Sequence, residues 1–221
     1  MKKSILFLLI CTAIYSCKKK DETPEPASSP IIPVTYDNYS NLKTGNYWIY
    51  ERFNLDSLGG TYTSLNVFDS SYVEKDTLIN GSTYYKLMTI NYPDNNQYVA
   101  SYFRDSLHYI ISYPGKIIFS SLNFTDTFYT HHIVQQTNDT ICYVYSKMAD
   151  DNFSVALPAG NFVTKNFKTT YLMWPNYSFN GPERPMHCRY AKNVGLVEQT
   201  LPFYLLPPNY IVRRLKRYGS A

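Results

Sequence analysis

Val73-Glu74-Lys75-Asp76-Thr77-Leu78-Ile79-Asn80-Gly81-Ser82-Thr83-Tyr84-Tyr85-Lys86-Leu87-Met88-Thr89-Ile90 is the stretch whose reading decides the fold. Two runs rich in β-branched and aromatic residues flank Asn80-Gly81, and both turn positions tolerate φ > 0. The pair fits a two-residue type I′ turn between strands at Val73–Ile79 and Ser82–Ile90. Working outward, the same grammar repeats. Strands are expected at Asn46–Phe53, at Thr61–Ile79 with a bulge near Asp69-Ser70-Ser71, at Gln97–Phe103, at Leu107–Ser112 and at Lys116–Ser120. Further strands are expected at Thr127–Gln135, Thr140–Lys147 and Phe153–Leu157, the last two separated by a turn at Asp150-Asp151-Asn152. Asn161–Trp174 carries the cleanest alternation, and Met186–Ala191, Val194–Thr200 and Tyr210–Tyr218 complete the set. Short strands closed by Gly, Pro, Asn and Asp predict an all-β fold with little helix. The architecture is an antiparallel meander forming a strongly curved sheet, an open barrel or a sandwich.

Composition agrees. The chain has 221 residues with 23 Tyr, 12 Phe and 2 Trp against only 9 Gly, and aromatic residues favour strands. The formal charge of +4 is two lower without Lys2 and Lys3, too weak a bias for nucleic acid. The reading expects no nucleic-acid partner, and separately no cofactor, no metal and a monomer.

The amino terminus speaks of address. Met1-Lys2-Lys3 is positive, Ser4 to Ile14 is almost unbroken apolar sequence, and Ser16 precedes Cys17. That order matches a secretory signal over residues 1–16, its apolar core too short to span a bilayer permanently. The cysteine at the cleavage point resembles the lipobox of bacterial lipoproteins, which implies acylation of Cys17. Residues 17–35 combine charge, Pro and Ser without apolar periodicity, as a flexible tether does. A single β domain over residues 36–221 follows. The Lys18-Lys19-Lys20-Asp21-Glu22 run resembles the signal that sends Bacteroidota lipoproteins to the outer face of the outer membrane; otherwise it is a solvated charge run. The expected location is the bacterial outer membrane, with a lipid anchor, facing the periplasm or the cell surface.

Three further segments, Leu42-Lys43-Thr44-Gly45-Asn46-Tyr47-Trp48-Ile49-Tyr50, Leu157-Pro158-Ala159-Gly160-Asn161-Phe162 and Tyr190-Ala191-Lys192-Asn193-Val194-Gly195-Leu196-Val197, resemble a broad set of uncharacterised Bacteroidota lipoproteins. The resemblance implies a curved antiparallel sheet like the open barrels of lipoprotein carriers, and it brings no activity. Asp-Ser/Thr-aliphatic triplets place Ser57, Thr77, Ser106 and Thr140 in a pattern that resembles the O-glycosylation acceptor of the same phylum. The same triplets also read as turn exits before strands.

Candidate chemistry is sparse. Cys142 and Cys188 are either a disulfide in an exported protein or two buried thiols. His131-His132 is the one His cluster, and on a strand its rings face opposite sides, one exposed and one packed. Glu51, Glu74, Glu183 and Glu198 are scattered, and no nucleophile elbow, zinc helix or phosphate loop is present. Trp174, Tyr177 and Phe179 form a candidate platform for stacking on sugars, or else cover a sheet edge. Arg213-Arg214 and Lys216-Arg217 either face anionic lipid or protect an edge strand from aggregation. The function expected is non-catalytic binding of a ligand or partner (a glycan, a lipid or an envelope protein). The alternatives are a carrier of lipid or another hydrophobic ligand, and a surface glycan hydrolase.

Overall fold

Alternation along the chain produces two antiparallel meanders in one sheet. In the computed structural model, residues 34–56, 60–90, 97–135, 139–178, 181–201 and 209–220 are described. The signal and tether, except for Val34 and Thr35, and with them Cys17, lie outside these residues. The compact β unit runs over Thr35–Ala221. Its strands are β1 (Asn46–Asp56), β2 (Tyr62–Ile79), β3 (Ser82–Ile90), β4 (Tyr98–Ser106), β5 (Tyr109–Ser112) and β6 (Lys116–Ser120). The second half contributes β7 (Thr127–Val134), β8 (Thr140–Leu157), β9 (Gly160–Met173), β10 (Glu183–Ala191), β11 (Gly195–Thr200) and β12 (Asn209–Ser220). A 3₁₀ turn at Pro175–Tyr177 follows β9.

The sheet order is β6-β5-β4-β3-β2-β1-β12-β11-β10-β9-β8-β7. Each half is an up-and-down meander, and β1 pairs with β12 to join them. The two edges, β6 and β7, are consecutive in the chain, so the sheet curls into a nearly closed barrel. Side chains bridge the seam. Phe128 of β7 stacks on Phe167 (6.4 Å between centroids) and meets Tyr109 of β5 edge-on, while Lys116 Nζ of β6 sits 3.8 Å over the Tyr129 ring.

The Asn80-Gly81 turn and strand β3 fall where the sequence places them, with both turn residues at positive φ. The carboxy-terminal segment is a strand, as expected, but a central one: β12 is paired on both sides, by β1 and β11. The edge-protecting reading of Arg213–Arg217 is thereby corrected. The expected turn at Asp150–Asn152 is also corrected. β8 runs through it as one strand, with a register irregularity between Ala149 and Phe153 and positive φ at Asp150 and Asn152. The Asp150 carboxylate holds this bulge by accepting from Asn166 Nδ2 (2.9 Å) and Arg189 (3.2 Å). In β2 the irregularities lie between Ser64 and Phe68 and between Val73 and Lys75, with regular pairing at Asp69–Ser71.

Two apolar clusters fill much of the interior. One gathers Trp48, Tyr50, Val73, Val155, Leu157, Val197 and Leu215; the other gathers Ile110, Phe119, Met148, Phe167 and Tyr190. The tip of the β8–β9 hairpin joins the first, where the Ala159 N–H donates to the Leu215 carbonyl at 3.0 Å. The first and third lipoprotein-like segments meet in space. Trp48 Nε1–H donates to the Val194 carbonyl (2.6 Å), and Asn193 N–H donates to the Asn38 carbonyl (2.7 Å). Gly195 makes this possible. It sits at φ +98°, and a Cβ there would lie 2.9 Å from the Ser40 carbonyl oxygen and 3.4 Å from the Trp48 ring.

Gly195→Ala combines left-handed strain with that backbone clash. It is expected to lower unfolding stability by about 1–3 kcal/mol. A urea midpoint equal to wild type would show that the contact between the two segments is dispensable.

A cavity inside the curved sheet

Between the two clusters the inward faces leave a cavity of about 410 Å³. It is built by alternation: Trp48 and Tyr50 of β1, Leu87 of β3, Phe103 of β4, Ile110 of β5 and Phe167 of β9 all turn the same way, toward the concave side. Ser71, Thr89, Ser101, Thr169 and Gln199 add a few polar groups, and Cys188 and Arg213 complete the chemistry of the wall. No carboxylate or imidazole belongs to the lining among the described residues. The Cys188 thiol is pushed up to about 11 by burial, so it remains protonated near neutral pH and is a poor nucleophile. Burial also raises the Tyr50 and Tyr190 phenols well above the ordinary tyrosine range.

Charges in and around this region are sorted by pairing. The three buried carboxylates of the described residues each have a cationic partner. Arg52 grips Asp69 through Nε (2.6 Å) and a terminal nitrogen (2.5 Å). Glu51 accepts from Ser64 (2.6 Å) and Lys216 (2.8 Å), and this hydrogen bonding holds its carboxyl below the usual range. Glu198 lies between Arg214 (3.0 Å) and Arg189 (3.5 Å). Arg213 differs. It is 8% exposed, its Nε is buried without a hydrogen-bond partner, and its guanidinium lies 4.7 Å from the centre of the Tyr50 ring.

The residues singled out in the sequence are scattered across the unit. The Cys142–Cys188 bridge is not made, and both are free thiols. Cys188 is level with Phe167, and Phe167 with Met148, whereas Cys142 lies six residues before Met148 on β8. At ~3.3 Å per residue that is about 20 Å, far beyond disulfide reach. Cys142 is instead a small apolar group among Ile141, Val144 and Met173. His131 and His132 lie on edge strand β7 and both are exposed, contrary to the expected split. No group of three metal-ligating side chains occurs among the described residues. Trp174 is 54% exposed after β9, while Tyr177 packs against the Cys142 cluster, so these two do not form one platform. Phe179 and Ser57 lie outside the described residues. Thr77 is half-buried within β2, Ser106 ends β4 and Thr140 opens β8.

Of the residues whose chemistry the sequence singled out, Cys188 and Arg213 line the cavity, a place the sequence assigned to neither. Arg213 was legible in principle, since it shares strand parity with Ile211 and Leu215. Adjacent Arg214 and Lys216 disguise it as part of a surface charge run.

No family model and no curated protein matches the chain. Among solved structures, a protein from Bacteroides fragilis assigned as exported and as having a YmcC-like fold is 13% identical. It aligns with a TM-score of 0.49 over 84% of this chain and 100% of that chain. A protein from Parabacteroides distasonis assigned as a lipoprotein is 15% identical, with a TM-score of 0.44 over 83% of this chain and 100% of that chain.

Outside the cavity, His187 on β10 meets Asn166 Nδ2 at 2.8 Å through its Nδ1. Burial first, then Arg189 and Lys168, lower its pKa to about 4, against the pull of Asp150. The folded value lies below the unfolded one. The unfolded chain therefore binds more protons between pH 6.5 and about 4, and stability is lost as pH falls through that window. His187→Gln should flatten this leg of a stability–pH profile, which carries on the order of 1–3 kcal/mol. Identical slopes for variant and wild type in denaturant titrations would rule this out.

Proposed function

We propose that this chain is an exported lipoprotein whose β unit binds a hydrophobic ligand without catalysing its conversion. The observation that carries the reading is the cavity of about 410 Å³ walled by Trp48, Tyr50, Leu87, Phe103, Ile110 and Phe167. Its volume lies within the roughly 300–1,000 Å³ of small-molecule sites, and such sites pair apolar walls with few polar groups. A protonated thiol, hydroxyls and one guanidinium offer no acid–base pair. This favours holding a ligand over transforming it. The free energy of binding comes from apolar area withdrawn from water. Export and anchoring rest on the sequence of residues 1–17: a positive start, an apolar core and a cysteine after a small residue. The outer membrane is the proposed location, with acylated Cys17 as the hold on the bilayer.

Binding is tested with N-phenylnaphthylamine, a neutral probe that fluoresces in apolar surroundings. The soluble chain lacking its leader is expected to take up one probe per molecule. Ser101→Trp, which fills the cavity from β4, is expected to weaken uptake at least tenfold while the far-UV spectrum is kept. Probe binding indifferent to a filled cavity would defeat the reading.

Anchoring is tested separately. Cys17→Ala should move the protein from the membrane fraction to the soluble or uncleaved precursor pool and abolish incorporation of labelled fatty acid. Labelling that persists in the variant would place the acyl group elsewhere.

A further inference from the structure

Arg213 is the one feature of the cavity that a carrier of neutral oil does not need. Guanidinium stays charged at any physiological pH, and a buried charge is retained at a cost unless something compensates it. Each obvious compensating group is already engaged. Directly opposite on β1 stands Arg52, whose charge is met by Asp69 in a two-point grip. On the other side, Gln199 of β11 is level with Arg213 and is neutral. Glu198 and Glu51 are bound to Arg214, Arg189 and Lys216. What remains for Arg213 is the face of Tyr50, at 4.7 Å, and the cavity that it lines. A cation–π contact satisfies part of the charge but accepts none of its in-plane N–H groups.

From this arrangement we infer that the cavity is selective for amphiphiles carrying one acidic head group, with the acid seated on Arg213 and the hydrocarbon lying against Leu87, Phe103, Ile110 and Phe167. The inference deepens the proposed ligand binding and rests on it. The chemistry is that of a planar fork, itself only 8% exposed, donating charge-assisted hydrogen bonds to an oxyanion. Ser71 and Ser101 supply further hydroxyls along the same wall, the Thr89 hydroxyl donating to Ser71 Oγ at 3.2 Å. A carboxylate from a fatty acid and a phosphate from a single-chain lipid present the same acceptor to the fork. An alcohol or ester of equal chain length leaves it without an anion.

The test compares matched probes on the soluble chain by displacement of N-phenylnaphthylamine. Dodecanoate and dodecyl phosphate should each displace it at least tenfold more effectively than dodecanol, and the stronger of the two identifies the head group. Arg213→Met should weaken the acid probes about 10- to 100-fold, the range set by the loss of charge-assisted bonds. The ratio of acid to dodecanol affinity should fall by the same factor, because the alcohol presents no anion for the variant to lose. Arg213→Lys should restore part of the preference for acid, an outcome that a purely structural role for Arg213 does not produce. Equal affinity of wild type for dodecanoate, dodecyl phosphate and dodecanol would overturn the inference while leaving hydrophobic binding intact. Loss of neutral reporter and dodecanol binding in Arg213→Met, to the same degree as acid, would also overturn it. A wild-type chain that binds neither the reporter nor any dodecyl probe would remove the reading of the cavity itself.

Discussion

The ladder between β1 and β12 is the constraint on which the rest of the unit depends. The chain makes two meanders, and this ladder joins their backbones through paired register from Asn46 opposite Ser220 to Asp56 opposite Asn209. Everything on the concave side follows from it. With β1 and β12 in register, Tyr50 comes under the Arg213 guanidinium and Leu215 joins the cluster around Trp48. The irregularity between Ile49 and Tyr50 sets the phase. A one-residue slip would reverse every side chain of β12, turning Arg213 outward and Arg214 inward.

Strand β12 also shows how a single element sorts charge. Its outward residues Arg214 and Lys216 each reach a buried carboxylate, Glu198 and Glu51, and Arg214 further donates to the Ala156 carbonyl at 2.6 Å. These pairs tie the β8–β9 hairpin, β11 and β1 to one strand. Arg52 and Asp69 form a closed pair with little exposure of either side chain. Breaking a buried pair of this kind leaves an uncompensated charge and is far costlier than the pair's net contribution to stability. The cavity wall therefore inherits one cation for a physical reason: no buried acid among the described residues is left to meet it.

Much of this architecture was legible in one dimension. Asn80-Gly81 requires positive φ at both positions, and Lys116–Ser120 is bounded by Pro114-Gly115, so β3 and β6 can be placed from local chemistry alone. Strand polarity in the second half was harder. Asp150-Asp151-Asn152 has the composition of a turn, yet the Asp150 carboxylate finds Asn166 and Arg189 across two neighbouring strands, and local preference yields to that pairing. The site was least legible. Its wall comes from strands spread from Trp48 to Arg213, and a cavity is a property of how inward faces fail to meet. A residue such as Phe103 carries no mark in sequence that separates packing against a neighbour from facing a void. Arg213 could be found only by setting aside its charged neighbours and following every second residue.

The cavity itself follows from strand number and side-chain size. A sheet of about eight strands closes on an interior that side chains just fill, and the diameter grows with each added strand. Twelve strands curled toward closure leave more room than Val, Leu and Ile can occupy, and the aromatic-rich composition is the chain's partial answer. Tyr39, Phe119 and Tyr190 form a chain of ring contacts at 5.1 and 4.7 Å, and Phe128 and Phe167 extend the aromatic packing to the seam. These rings reach far from their backbones and support the wall without filling the centre. The β6–β7 seam matters for the same reason. Its edges are joined by side chains such as Lys116 over Tyr129, where the other strand neighbours are joined by backbone ladders. A full ladder there would fix the diameter on all sides. Closure by side chains leaves that side without a ladder, and the interior keeps its volume.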